Sequence, residues 1–171
     1  MTYLRGGFPR LKGLIGVDAQ EMTRYIRESF PGVRVAENAG DAFFIHDPDG
    51  DLPAERGFPF ATVVTGDHYD QVSRLDRPGV YRVNIGLTKA RYSELFGAAP
   101  TTRDGDGVWE TGFDYSTVDT LLPHPVYAGR HWVCVVSPGP ATLDTVRDLL
   151  AEAHRFAVHK HANQRARRTR S

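Results

Sequence analysis

Lysine is scarce in this chain, with 3 residues against 18 arginines. That ratio reads as the coding bias of a GC-rich genome, so arginine content carries no functional message by itself. Cysteine is rarer still. Cys134 stands alone, which excludes an internal disulfide and fits a reducing cytoplasm. No apolar run approaches the ~20 residues a membrane helix needs. The first twenty residues lack the apolar core of a secretory leader. A cytoplasmic protein without a membrane partner is expected.

Motifs that fix a reaction are also missing. Gly129 and Gly139 belong to no GxGxxG or Walker pattern, so nucleotide cradling by a glycine-rich loop has no support. His159 and His161 sit two apart, and on a helix such residues do not face each other. His124, His131, Asp114 and Asp119 lack a spacing diagnostic of a metal centre. Counted from Asp47, a calcium loop needs Gly at its sixth position and Glu at its twelfth. Leu52 and Phe58 stand there, and Asp47-Pro48-Asp49-Gly50 reads instead as a turn. No metal and no cofactor is expected.

Net charge is zero but unevenly spread. Arg165, Arg167, Arg168 and Arg170 crowd the C-terminus, and removing these four charges from the zero total leaves residues 1–164 at −4. A mildly acidic body argues against a broad nucleic-acid footprint.

What is present is one domain's worth of patterned sequence, 171 residues long. Residues 1–16 read as an extended lead, 17–163 as a single α+β domain and 164–171 as a flexible basic tail. Asp18 with Glu21 has capping-box spacing, and Met22, Tyr25, Ile26 and Phe30 follow as a helical stripe that Pro31-Gly32 ends. Val33–Ala36 and Ala42–His46 read as a hairpin about Asn38-Ala39-Gly40-Asp41. Phe60–Thr65, Val80–Leu87 and His131–Val136 read as further strands. Thr88 and Gly97 bracket a short helix, and Thr117–Leu122 reads as a helical turn. A long helix is expected from Ala141 to about His161. An antiparallel, twisted sheet with an N-terminal and a long C-terminal helix follows. Its core is expected to pack Trp132, Phe44, Val63 and Ile85 against Ile26, Leu149 and Phe156.

Alternation along Val80–Leu87 separates two sides. Tyr81, Val83, Ile85 and Leu87 point one way, and Val80, Arg82, Asn84 and Gly86 the other. The end helices can cover the apolar side. The 98–130 segment, too long for a simple connection, is the expected roof of the polar side. It ends in His124, Tyr127 and Arg130, next to His131 and Trp132. On a regular strand His131 and Trp132 face opposite ways.

His124-Pro125, followed by Arg130-His131-Trp132-Val133 and an acidic helix, resembles the MmcQ/YjbR-like family, as does Phe60-Ala61-Thr62-Val63. The resemblance covers residues 18–160. The Leu75–Gly86 stretch points to an uncharacterised side branch. The resemblance implies a small α+β fold with a twisted antiparallel sheet.

These readings converge on a pocket for a small polar or anionic ligand, bound by Arg82, Asn84, Tyr127 and Arg130. His124 and His131 are the candidates for acid/base chemistry there, since imidazole titrates near neutrality. The same residues could equally anchor the entrance of a strand. Two alternatives stay open. One is a DNA-associated accessory protein using the basic tail, and the other is a module whose roofed face forms a homodimer.

Overall fold

The computed structural model describes residues 16–170, so the expected N-terminal lead, Gly16 apart, lies outside the described residues. Helix α1 (Ala19–Ser29) begins as anticipated. The Glu21 amide donates to Asp18 Oδ1 at 2.8 Å, and the Asp18 amide donates back to Glu21 Oε1 at 3.3 Å. Met22 and Ile26, one turn apart, are fully buried. Strands β1 (Val33–Asn38) and β2 (Asp41–His46) pair across Ala39-Gly40, whose φ values are +53° and +87°. Two successive residues in that region match the twist of a tight hairpin.

The remaining elements are β3 (Ala61–Val64), β4 (Arg82–Gly86), α2 (Lys89–Phe96), β5 (Leu121–Pro123), β6 (Trp132–Val136) and α3 (Leu143–Arg168). The Thr88 side chain caps α2 by accepting from the Arg91 amide, and Gly97 ends it with φ +77°. The six strands form one antiparallel sheet in the order β1-β2-β3-β4-β6-β5. The α+β class, the N-terminal helix and the long C-terminal helix are as expected. No helix of the described residues is long and apolar enough to cross a membrane.

One face of the sheet is dry. Phe44, Val63, Val83, Ile85, Val133 and Val135 pack there with Met22 and Ile26 of α1 and with Val146, Leu149 and Leu150 of α3. Burial of such side chains is worth about 1.5–3 kcal/mol each. On the opposite face, register aligns Thr62 with Asn84 and Cys134 in one row, and Val64 with Arg82 and Val136 in the next.

Several expectations need correction. Residues 121–123 form edge strand β5, not a helical turn; three residues are too few to show a period. Helix α3 continues through Arg168, into the stretch read as a flexible tail. Arg165 is tied there to Asp51 at 2.6 and 2.8 Å and to Asp49 at 2.9 Å. Trp132 and Phe156 are only partly buried and lie outside the core cluster.

The roof is also different. The 98–130 segment folds largely on itself around Trp109, whose indole N–H donates to the Val126 carbonyl at 2.9 Å. The Arg103 guanidinium lies 4.2 Å from the Trp109 ring centroid, and the Tyr115 hydroxyl donates to the Trp109 carbonyl at 2.6 Å. The polar face is covered by the loop between β3 and β4 together with the end of this segment, residues 124–130. Leu75 of that loop packs with Val64 and Val136. The Leu75 amide is held by Asp67 at 2.9 Å, and Arg77 ties the Ser73 and Ser116 carbonyls.

Candidate functional site

A cavity of about 830 Å³ opens on the polar face and runs past the ends of β3, β4 and β6 to α3. Arg82, Asn84, His124, Tyr127, Arg130 and His131 all line it. Alternation on β4 sets Arg82 and Asn84 on the same side. The other four residues come from the chain segment that leads into β6.

The floor is a buried polar network. Arg82 and Asn84 are 2% and 3% exposed. Arg82 Nη1 and Nη2 donate to the two oxygens of Asp70 at 3.1 and 2.9 Å. Nη1 also donates to Ser73 Oγ at 2.7 Å, and Nε to Asn84 Oδ1 at 2.9 Å. Asn84 Nδ2 donates in turn to Thr62 Oγ1 at 2.9 Å. Burial pulls the guanidinium pKa down, but the Asp70 hydrogen bonds and charge outweigh it and hold the group protonated. The charge of Arg82 is therefore spent inside the protein. It is not the free anion clamp that its sequence position suggests.

His124 lies in a short turn between β5 and β6, and it is buried. Its Nδ1 accepts from the Val126 and Tyr127 amides, both at 3.0 Å. An acceptor at Nδ1 places the ring proton on Nε2. Burial, then the nearby Arg82 charge, pushes its pKa well below the usual imidazole range. Protonating Nδ1 would break two backbone bonds. The ring is thus a neutral, fixed donor at Nε2, with no lone pair left to take a substrate proton.

His131 has φ +70°. That left-handed residue resets the alternation at the mouth of β6, so His131 and Trp132 both reach the cavity. The Trp132 indole lies over Gly86, where an added Cβ would come within 2.8–2.9 Å of the ring. Trp132 also packs near Tyr127, which in turn leans on His124 with ring centroids 5.0 Å apart. Cys134, one row deeper, is fully buried, and burial pushes its thiol up to about 12. It has no nucleophilic role to offer.

The rim and walls also include Phe58, Tyr69, Lys89 and Lys160, which sequence patterning did not single out, and Phe156, which it assigned to the core. Phe58 and Tyr69 are 77% and 54% exposed, and Tyr127 is 50% exposed. Phe156 of α3 forms part of the wall, with the Lys160 ammonium 4.3 Å from its ring centroid. Lys89, Arg130 and Lys160 line the same cavity, and none has a carboxylate partner among the described residues. The signal that could have found Phe156 and Lys160 was their helical spacing of four, which sets both on one side of α3.

The geometry defines an α+β domain with an aromatic-walled cavity over a neutralised polar floor. The chain belongs to a family of unknown function (DUF6194), whose profile matches residues 17–166. No curated protein and no solved structure matches it significantly. The resemblance to the MmcQ/YjbR-like family is thereby overturned. Its motifs are short strand-entry patterns, in which His124 here binds the backbone of its own turn and Trp132 rests on Gly86.

Proposed function

We propose that this domain binds a small molecule with a flat, largely apolar body and an anionic group. The carrying observation is the junction of solvent-exposed aromatic rings with unpaired cations at one cavity. Phe58, Tyr69 and Tyr127 hold large apolar surfaces in water beside Lys89, Arg130 and Lys160. Exposed aromatic surface gathered in a concavity is characteristic of a binding site. Cations without partners supply the attraction for an anion, and the aromatic rings supply area and stacking. His124 contributes a hydrogen bond rather than a proton transfer.

The test is calorimetric titration with a panel of aromatic carboxylates, sulfonates and phosphates against wild type, Tyr127→Ala and Arg130→Gln. Both variants alter exposed side chains, so the fold should be retained. Each should weaken a bound panel member about tenfold, equivalent to ~1.4 kcal/mol. A ligand whose affinity neither substitution changes would place binding elsewhere. A panel without a binder would overturn the proposal.

A further inference from the structure

We propose that the ligand enters this cavity with a neutral carbonyl edge inward and leaves its anionic group at the rim, as a nucleoside monophosphate with an oxo-bearing base does. This rests on the small-molecule reading above and adds the chemistry and orientation of the ligand. The floor carries no net charge, and beside the Arg82–Asp70 pair it offers spare donors. His124 is 2% exposed and presents Nε2–H, with both of its hydrogen bonds made at Nδ1. Asn84 uses one Nδ2 proton on Thr62 and its Oδ1 on Arg82, which leaves a second Nδ2 proton. Thr62, 8% exposed, accepts from Asn84 and keeps its own hydroxyl proton to give.

Arg82 is already balanced by Asp70, whose two oxygens both accept from it. A phosphate or carboxylate driven to this floor would lack a counter-charge, and an unpaired buried charge is heavily penalised. A neutral carbonyl carries no such penalty and satisfies the waiting donors. The unpaired cations Lys89, Arg130 and Lys160 stand further out, on exposed positions. Between floor and rim, Trp132, Tyr127 and Phe156 supply faces for a planar ring. The order is therefore carbonyl, flat ring, anion, reading outward.

Entering by its O4 corner, uracil presents a carbonyl oxygen where cytosine carries an amino group. The His124, Asn84 and Thr62 donors find no acceptor on that amino group, so uracil keeps a hydrogen bond there that cytosine forfeits. The probes are uridine and cytidine monophosphates, uridine, ribose 5-phosphate and 1-naphthyl phosphate, titrated calorimetrically into the full chain. Uridine monophosphate should bind at least tenfold more tightly than each of the other four. Lys160→Gln should narrow its advantage over uridine. Thr62→Val should narrow its advantage over cytidine monophosphate, with circular dichroism confirming the fold. If Thr62→Val does not fold, the wild-type comparison of the two nucleotides decides alone. Equal binding of 1-naphthyl phosphate, still weakened by Arg130→Gln, would overturn the carbonyl-inward inference and leave the broader reading standing. Binding of neither nucleotides nor naphthyl phosphate would overturn this inference, and a panel of planar anions without a binder would remove the broader reading as well.

Discussion

Asp70→Asn is nearly isosteric, yet it should be among the most damaging single changes in this domain. The Arg82 and Asp70 side chains are 3% and 7% exposed, and their two hydrogen bonds are 3.1 and 2.9 Å long. The substitution leaves a guanidinium charge in the floor with an amide in place of its counter-ion. Removing one partner of a buried pair costs about 3–5 kcal/mol. A domain of this kind holds only about 5–15 kcal/mol in total. At about 2–4 °C per kcal/mol for a chain of this size, the melting temperature should fall by roughly 6–20 °C. Urea denaturation at pH 7, followed by tryptophan emission and far-UV circular dichroism, gives the free energy. The double variant Arg82→Met with Asp70→Leu removes both charges and fills similar space. It should recover more than half of the loss, because the cost lies in the stranded charge and not in the missing contact. A loss below about 1 kcal/mol for Asp70→Asn would show that water reaches Arg82 freely. A double variant as unstable as the single one would show that the network acts by shape and not by charge balance.

Acid should destabilise the fold through its histidines before its carboxylates titrate. Burial, then the charges of His154 and His161, lowers the His46 pKa, while burial lowers those of His124 and His154. Groups kept neutral in the folded state take up protons on unfolding once pH drops below about 6.5. Stability is therefore complete above that pH and declines below it, by at most about 1.4 kcal/mol per pH unit for each histidine. Urea midpoints at pH 7.5 and 5.5 measure this, His46→Gln should flatten the slope, and an equal or higher midpoint at pH 5.5 would refute the assignment. Gly86→Ala should cost about 1–3 kcal/mol and shift tryptophan emission, since the new methyl collides with the Trp132 indole. Unchanged emission and stability would mean that the indole does not rest on Gly86.

Local punctuation was legible in the chain. Asp18 with Glu21, Ala39-Gly40, and Thr88 with Gly97 each act over a few residues, and each does its expected job. Alternation in β4 correctly separated Arg82 and Asn84 from Tyr81, Val83 and Ile85. Asp70 was not legible as the partner of Arg82, because it lies in an irregular loop with no period to betray its direction. Strict alternation through His131 sends Trp132 to the core, and a single left-handed residue at His131 breaks that alternation. The cavity's outer wall depends on how α3 passes the sheet; spacing sets Phe156 and Lys160 on one side of the helix but does not say what that side meets. The roof was legible only at residues 124–130, which line the cavity. Segment length pointed to residues 98–130, but Trp109 gives that segment a small core of its own.

The division between floor and rim has a consequence for how this family diversifies. Arg82, Asn84, Ser73 and His124 are buried and locked to one another or to backbone groups, so changing any one endangers the fold. Phe58, Tyr69, Tyr127, Arg130 and Lys160 project from positions where substitution costs little stability. Selection can therefore rewrite the mouth of the cavity while the base stays put. On the proposed function, relatives would share the inner recognition chemistry and differ in the outer half of what they hold. Swapping only these five rim residues between two members should then exchange ligand preference without rebuilding either fold.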